Sequence, residues 1–166
     1  MLFLFYLISS KIEKVMIEIF KTIILAMMPI GELRASIPVA LFSYGLPAWQ
    51  SFIFSVLGNM IPVFFLLLFL KPVTELLSKV SFIKKFLNWF FDKTERNHKE
   101  KFLKFKEIAL VILVAIPLPF TGAWTASVAA LLFKIPFWKA VLLIFLGVII
   151  AGVLVLLTSL GILKLL

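Results

Sequence analysis

Residues 28–38 read MPIGELRASIP, and the fold turns on how they are read. From Thr22 to Leu70 only Glu32 and Arg34 carry charge, and Pro29 and Pro38 bracket them. One uninterrupted helix over that block would run about 73 Å at 1.5 Å per residue. The hydrocarbon core of a membrane is only about 30 Å thick. The block therefore folds back, and the prolines say where. Thr22–Met28 and Ala35–Phe42 supply about 10 and 12 Å of helix, each short of a crossing. Ser43 to Pro47, SYGLP, offers turn residues, and Ala48–Leu70 is long enough to span. MPIGELRASIP becomes the tip of a re-entrant hairpin.

The membrane premise rests on composition. The 166 residues are 63% hydrophobic and 15% charged, with a mean hydropathy of +1.18. Soluble domains carry about 25% charge. We read a single all-α integral membrane domain over residues 1–166, multi-pass in the plasma membrane and in contact with its lipid. With no cysteine, disulfides, thiolate metal sites and thiol nucleophiles are excluded. The net charge of +9 reports topology, because Lys and Arg gather in cytoplasmic segments. No basic face remains for nucleic acid. The one histidine, His98, sits in a charged stretch as a solvated side chain. No H-x-x-x-H, G-x-S-x-G or Walker A motif occurs, so neither an enzyme nor a nucleotide-driven pump is expected, and no cofactor.

Residues 1–21 read as an N-terminal interfacial segment. MLFLFYLISS is too short to span and lacks the basic start and cleavage site of a signal peptide. In Lys11–Lys21, Ile12, Val15, Met16, Ile19 and Phe20 line one helical face, with Lys11, Lys14, Glu18 and Lys21 opposite. Residues 71–107 form a connector with ten Lys and Arg against five acids. It is amphipathic, with Leu76, Val80, Ile83, Leu87 and Phe90 on one stripe, and is placed on the cytoplasmic surface.

Residues 108–157 repeat the plan of 22–70. Ile108–Ile116 is a short limb, and PLPFTGAWT, Pro117–Thr125, breaks it at Pro117, Pro119 and Gly122. Ala126–Phe133 returns, Lys134–Pro136 turns, and Phe137–Leu157 spans. A shift of 89 residues brings Leu46-Pro47-Ala48-Trp49 onto Ile135-Pro136-Phe137-Trp138, and Gly58 onto Gly147. If both hairpins are re-entrant, the halves point oppositely through the membrane, an inverted-repeat plan of secondary transporters. The competing reading is four ordinary kinked spans.

At three motifs the chain resembles a known family. P-x-x-E-L-R-x-x-I-P from Pro29 to Pro38, Gly58-Asn59 followed by Pro62, and P-L-P-x-T-G-A-W-T from Pro117 to Thr125 are similar to the putative small multidrug export proteins. The resemblance covers roughly Lys21–Leu157. That family is in turn distantly similar to the DedA, or VTT, membrane proteins, which implies two inverted re-entrant hairpins and either ion-coupled transport or lipid translocation. The DedA pattern has an acid in the first hairpin and arginines in the second. Glu32 fits the acid, but the second hairpin has Thr121, Trp124 and Thr125 and no arginine. That departure weakens a lipid-phosphate reading.

The candidate substrate- or ion-binding residues are Glu32, Arg34, Thr121, Trp124, Thr125 and Asn59. An ionisable residue inside a membrane marks a functional site by default, at an insertion cost of about 2.5–3.5 kcal/mol. Glu32 and Arg34 either neutralise each other and cap the broken backbone, or act as a proton-titrating carboxyl and an anion anchor. Helix N-termini near Ala35 and Ala123, with Thr121 as N-cap, favour an anionic or carbonyl-bearing group. Trp124 packs or walls a substrate. Asn59 bridges a polar path or bonds a neighbouring helix, and Gly58, Gly147 and Gly152 mark close helix contacts. The expected protein is a small proton-coupled transporter of a small or amphipathic solute, and the alternatives are a lipid scramblase and a non-transporting scaffold. Two spans do not seal a pathway, so a homodimer is expected.

Overall fold

The computed structural model describes residues 2–77, 99–116 and 121–165. Most of the connector, with His98, and both Pro117 and Pro119 lie outside them, as do the side chains of 1–8, 70–104 and 162–166. The described residues form six α-helices: α1 Leu2–Met27, α2 Glu32–Phe42, α3 Ala48–Leu77, α4 Lys99–Ala115, α5 Ala123–Leu132 and α6 Phe137–Leu165.

The first helix corrects the sequence reading. No interfacial segment is set apart from a short limb, because nothing between Leu2 and Met27 breaks a helix and the two run on as one. The break falls at Met28–Gly31. Its inner face is centred on the fully buried Thr22 and Ala26, while Ile12, Met16 and Phe20 of the expected stripe are exposed. The return limb begins three residues earlier than expected, at Glu32, with Gly31 as N-cap. Pro38 breaks nothing. It lies inside α2, where its missing N–H forfeits only the bond to the Arg34 carbonyl. Likewise α3 runs past Lys71 to Leu77, and α6 past Leu157 to Leu165.

Lengths sort the helices. α2 and α5 have 11 and 10 residues, about 16 and 15 Å, and cannot cross a bilayer. Ala48–Phe69 of α3 and Phe137–Gly161 of α6 are long and apolar enough to do so. Both keep large side chains on the outside. Trp49, Ile53, Leu57, Phe64, Phe65 and Leu68 are exposed on α3, and Trp138, Leu142, Leu146, Val153, Leu154 and Leu157 on α6. The two sets differ by 89 at every member. Contiguous exposed apolar stripes of this size belong against lipid or a partner, not water.

The chain divides into two compact units, Met1–Ile61 with Ile149–Leu166, and Pro62–Val148. Unit 1 pairs α1 with α2, and unit 2 pairs α4 with α5. In unit 1, Gly58 lets α3 close on α1: a Cβ there would stand 2.6 Å from the Ile23 carbonyl oxygen and 2.9 Å from Ala26 Cβ. In unit 2, Gly147 lets α6 close on α4, where a Cβ would stand 2.6 Å from Val114 Cβ.

The hairpin turns match as well. Leu46 N–H donates to the Ala40 carbonyl and Ile135 N–H to that of Ala130, both at 2.9 Å. Ser51 N–H reaches Pro47 and Ala140 N–H reaches Pro136. Gly45 and Lys134, 89 apart, both have positive φ, 67° and 53°. Glycine adopts that conformation freely, whereas lysine there is strained. The buried faces of the short limbs, Leu33, Ser36, Ile37 and Ala40 against Ala123, Ala126, Ser127 and Ala130, register at 90. The one-residue difference is absorbed in the second turn, which is shorter.

Candidate functional site

Glu32 opens α2 in a strained conformation. Its φ is 48°, left-handed, where a non-glycine residue costs about 1–2 kcal/mol. The side chain is buried, 6% exposed. As the acid of the first turn, it sits at the positive end of the helix dipole. Arg34, two residues on and half-buried, interacts electrostatically with Glu32. On a regular helix such a pair would not face each other. The positive φ at Gly31 and Glu32 departs from regular helix where the pair begins. Such strain persists only where surrounding structure imposes it, commonly at functional sites.

Asn59 is fully buried on α3, and neither its amide oxygen nor its amide nitrogen has a hydrogen-bond partner among the described residues. Two residues that sequence reasoning passed over share this condition. Ser36 on α2 and Ser55 on α3 are fully buried, with hydroxyls lacking a partner. Ser36 is one turn beyond Glu32, and Ser55 one turn before Asn59. Spacing alone carried the signal: Ser51, Ser55 and Asn59 recur every fourth residue in a largely apolar stretch of α3.

The second hairpin is assembled differently. Thr121 is not the N-cap, because α5 starts one residue later than that role needs and Gly122 takes it. The Thr121 hydroxyl instead donates to the Ile116 carbonyl at 3.1 Å, bridging the break. Thr125 serves the helix end: its hydroxyl oxygen accepts from Gly122 N–H at 3.0 Å. Thr125 is exposed, and Trp124 beside it half-buried. Glu32, Arg34 and Asn59 thus belong to unit 1, and Thr121, Trp124 and Thr125 to unit 2.

Polar contacts at the turn ends also differ. In unit 2, Lys106 donates to the Phe133 carbonyl at 2.9 Å, at the C-terminus of α5, and Lys139 pairs with Glu107 at 2.7 Å. In unit 1 the acid 89 residues earlier is Glu18. It meets only Lys21, at 3.3 Å, and its other oxygen is buried without a partner among the described residues. Lys21 lies 5.6 Å from the centre of the Tyr44 ring, which places Glu18 at the level of the first turn.

These features define an all-α protein of membrane type, with two membrane-length apolar helices, two short-limbed hairpins and a strained buried acid at one tip. The chain belongs to the family described as "Putative small multi-drug export protein", which it matches over residues 32–154. All six candidate residues fall inside that match, and α1 precedes it. The family's name points to export across a membrane. No curated protein and no solved structure matches the chain.

Proposed function

We propose that the protein is a small ion-coupled exporter in which Glu32 takes up and releases the coupling proton. The carrying observation is Glu32 itself: buried, held at a left-handed φ, and coupled electrostatically to the Arg34 guanidinium. An ionisable side chain held inside a membrane protein marks a functional site by default. Arg34 is the anchor for an anionic or carbonyl-bearing part of the solute.

In this reading α1–α2 and α4–α5 each form a re-entrant hairpin, and the two halves are an inverted repeat. The matched turns, glycines and exposed stripes support the repeat. The protein acts as a homodimer in the plasma membrane, with residues 71–107 on the cytoplasmic side, where their positive charge is retained.

The test uses vesicles containing the purified protein and an internal pH dye, with ethidium as the transported probe. Proton flux on ethidium addition should appear with the native protein and vanish with Glu32→Gln. Undiminished flux in that variant would exclude Glu32 as the coupling group. Loss of dithionite protection of a fluorescent lipid, without any ion gradient, would replace export with lipid translocation.

A further inference from the structure

We infer that Ser55 and Asn59 of α3, with Ser36 of α2, hold a cluster of buried water in unit 1, and that this wet recess is the route by which protons reach Glu32 from the Ser43–Pro47 turn. The second clause rests on the proposed role of Glu32; the first does not.

Helical hydroxyls in this protein normally bond back to their own helix. Thr22 donates to the Glu18 carbonyl, Ser51 to Pro47, Ser127 to Ala123, Thr158 to Leu154 and Ser159 to Val155, at 2.7–3.2 Å. Ser36 and Ser55 do not, although both sit in helices. Four buried polar atoms, two hydroxyl oxygens and both ends of the Asn59 amide, are therefore left to be satisfied. Each buried polar group without a partner costs about 1–3 kcal/mol. Ser55 and Asn59 are neighbours on one helical face. The set contains donors and acceptors together, which water satisfies and a bare cation does not, since the Asn59 N–H groups need an acceptor. Buried waters take two to four such partners.

The depth of these groups links them to Glu32. Counted from the shared turn, Ser36 and Ser55 lie about 10 and 12 Å along their helices, and Glu32 and Asn59 about 16 and 18 Å. Glu18, with its buried free oxygen, and the fully buried Ser51 stand at the turn end. The ladder thus runs from Glu18 and Ser51 through Ser55 and Ser36 to Asn59 and Glu32. Its counterpart in unit 2 is dry. Ser51, Ser55 and Asn59 become Ala140, Ile144 and Val148, all fully buried. The acid at the turn end, Glu107, is closed by Lys139.

The chain has no cysteine, so single cysteines report cleanly. A thiol reacts as its thiolate, which forms readily in water and poorly in apolar surroundings. Ser36→Cys, Ser55→Cys and Ile144→Cys would be treated with methyl methanethiosulfonate and followed by intact mass. Ser55→Cys and Ser36→Cys should react at least tenfold faster than Ile144→Cys. Equal rates would overturn the water cluster. Protection by sodium but not potassium at equal ionic strength would also overturn it, in favour of a cation site. The route is read from dye-reported proton flux in Asn59→Leu, which should fall at least tenfold while the variant elutes as native protein. Fast thiol reaction with undiminished Asn59→Leu flux overturns the route. Loss of flux in Asn59→Leu but not in Glu32→Gln overturns the assignment to Glu32 while leaving the recess in place.

Discussion

The two halves of this protein share a backbone plan and differ in what they bury. Both have a short limb, a tight turn and a long helix, with a glycine at the closest helix approach. The first half carries an acid at its tip and hydroxyl and amide groups along the inner face of its long helix. The second carries alanine, isoleucine and valine there, and its tip is sealed by threonine hydroxyls bonding to nearby backbone. Backbone architecture tolerates this divergence because helices satisfy their own peptide groups whatever their side chains. The polar chemistry could therefore be confined to one half without loss of the scaffold.

The comparison can be broken at several points. The largest effect should come from the helix approaches. Gly58→Ala and Gly147→Ala each force an atom to within 3 Å of the facing helix, and overpacking of this kind costs about 1–3 kcal/mol or more. Both should sharply lower the melting temperature in detergent, while Gly161→Ala, with nothing within 4 Å, should not. A tolerant Gly147 would show that the halves are not built alike. Next is the charged pair. In a double-mutant cycle Glu32→Ala and Arg34→Ala should be coupled by about 0.5–3 kcal/mol, with the double variant less damaged than the two singles together. Additive losses would mean that the charges act independently.

The turns give a smaller and opposite pair of effects. Gly45→Ala should cost about 1 kcal/mol although its surroundings are open, because its φ is positive. Lys134→Gly should gain up to about 1 kcal/mol by relieving the matching strain. Thermal shifts of the same sign would break the equivalence of the turns. The smallest effect belongs to Lys139→Gln. Its pair with Glu107 is partly exposed, and such pairs contribute about 0–1 kcal/mol. High salt should erase the difference in melting temperature.

Much of the fold was legible as arithmetic. Helix rise against membrane thickness required a fold-back, and the shared [LI]-P-x-W with a glycine nine residues on marks two turns with matching hydrogen bonds. The motifs around Glu32 and Thr121 pointed to the right family. Boundaries were read less well, because proline was treated as a terminator. Pro38 sits within α2, forfeiting a single backbone bond. The stretch before Pro29 contains no breaker, so α1 runs through it despite the change from charged to apolar residues. Thr121 was assigned a cap that one residue of register gave to Gly122.

Composition and spacing alone thus determined an all-helical chain of membrane type with two long apolar helices. Both follow from local rules: rise per residue and the length of apolar runs. Tertiary structure alone decided which serines are spent on their own helices and which are left over. That depends on whether a neighbouring helix lies over the side chain and which way the hydroxyl turns beneath it. Ser51 and Ser55 are the same residue in the same helix, four apart and equally buried; only packing separates the one that closes a turn from the one that faces the recess.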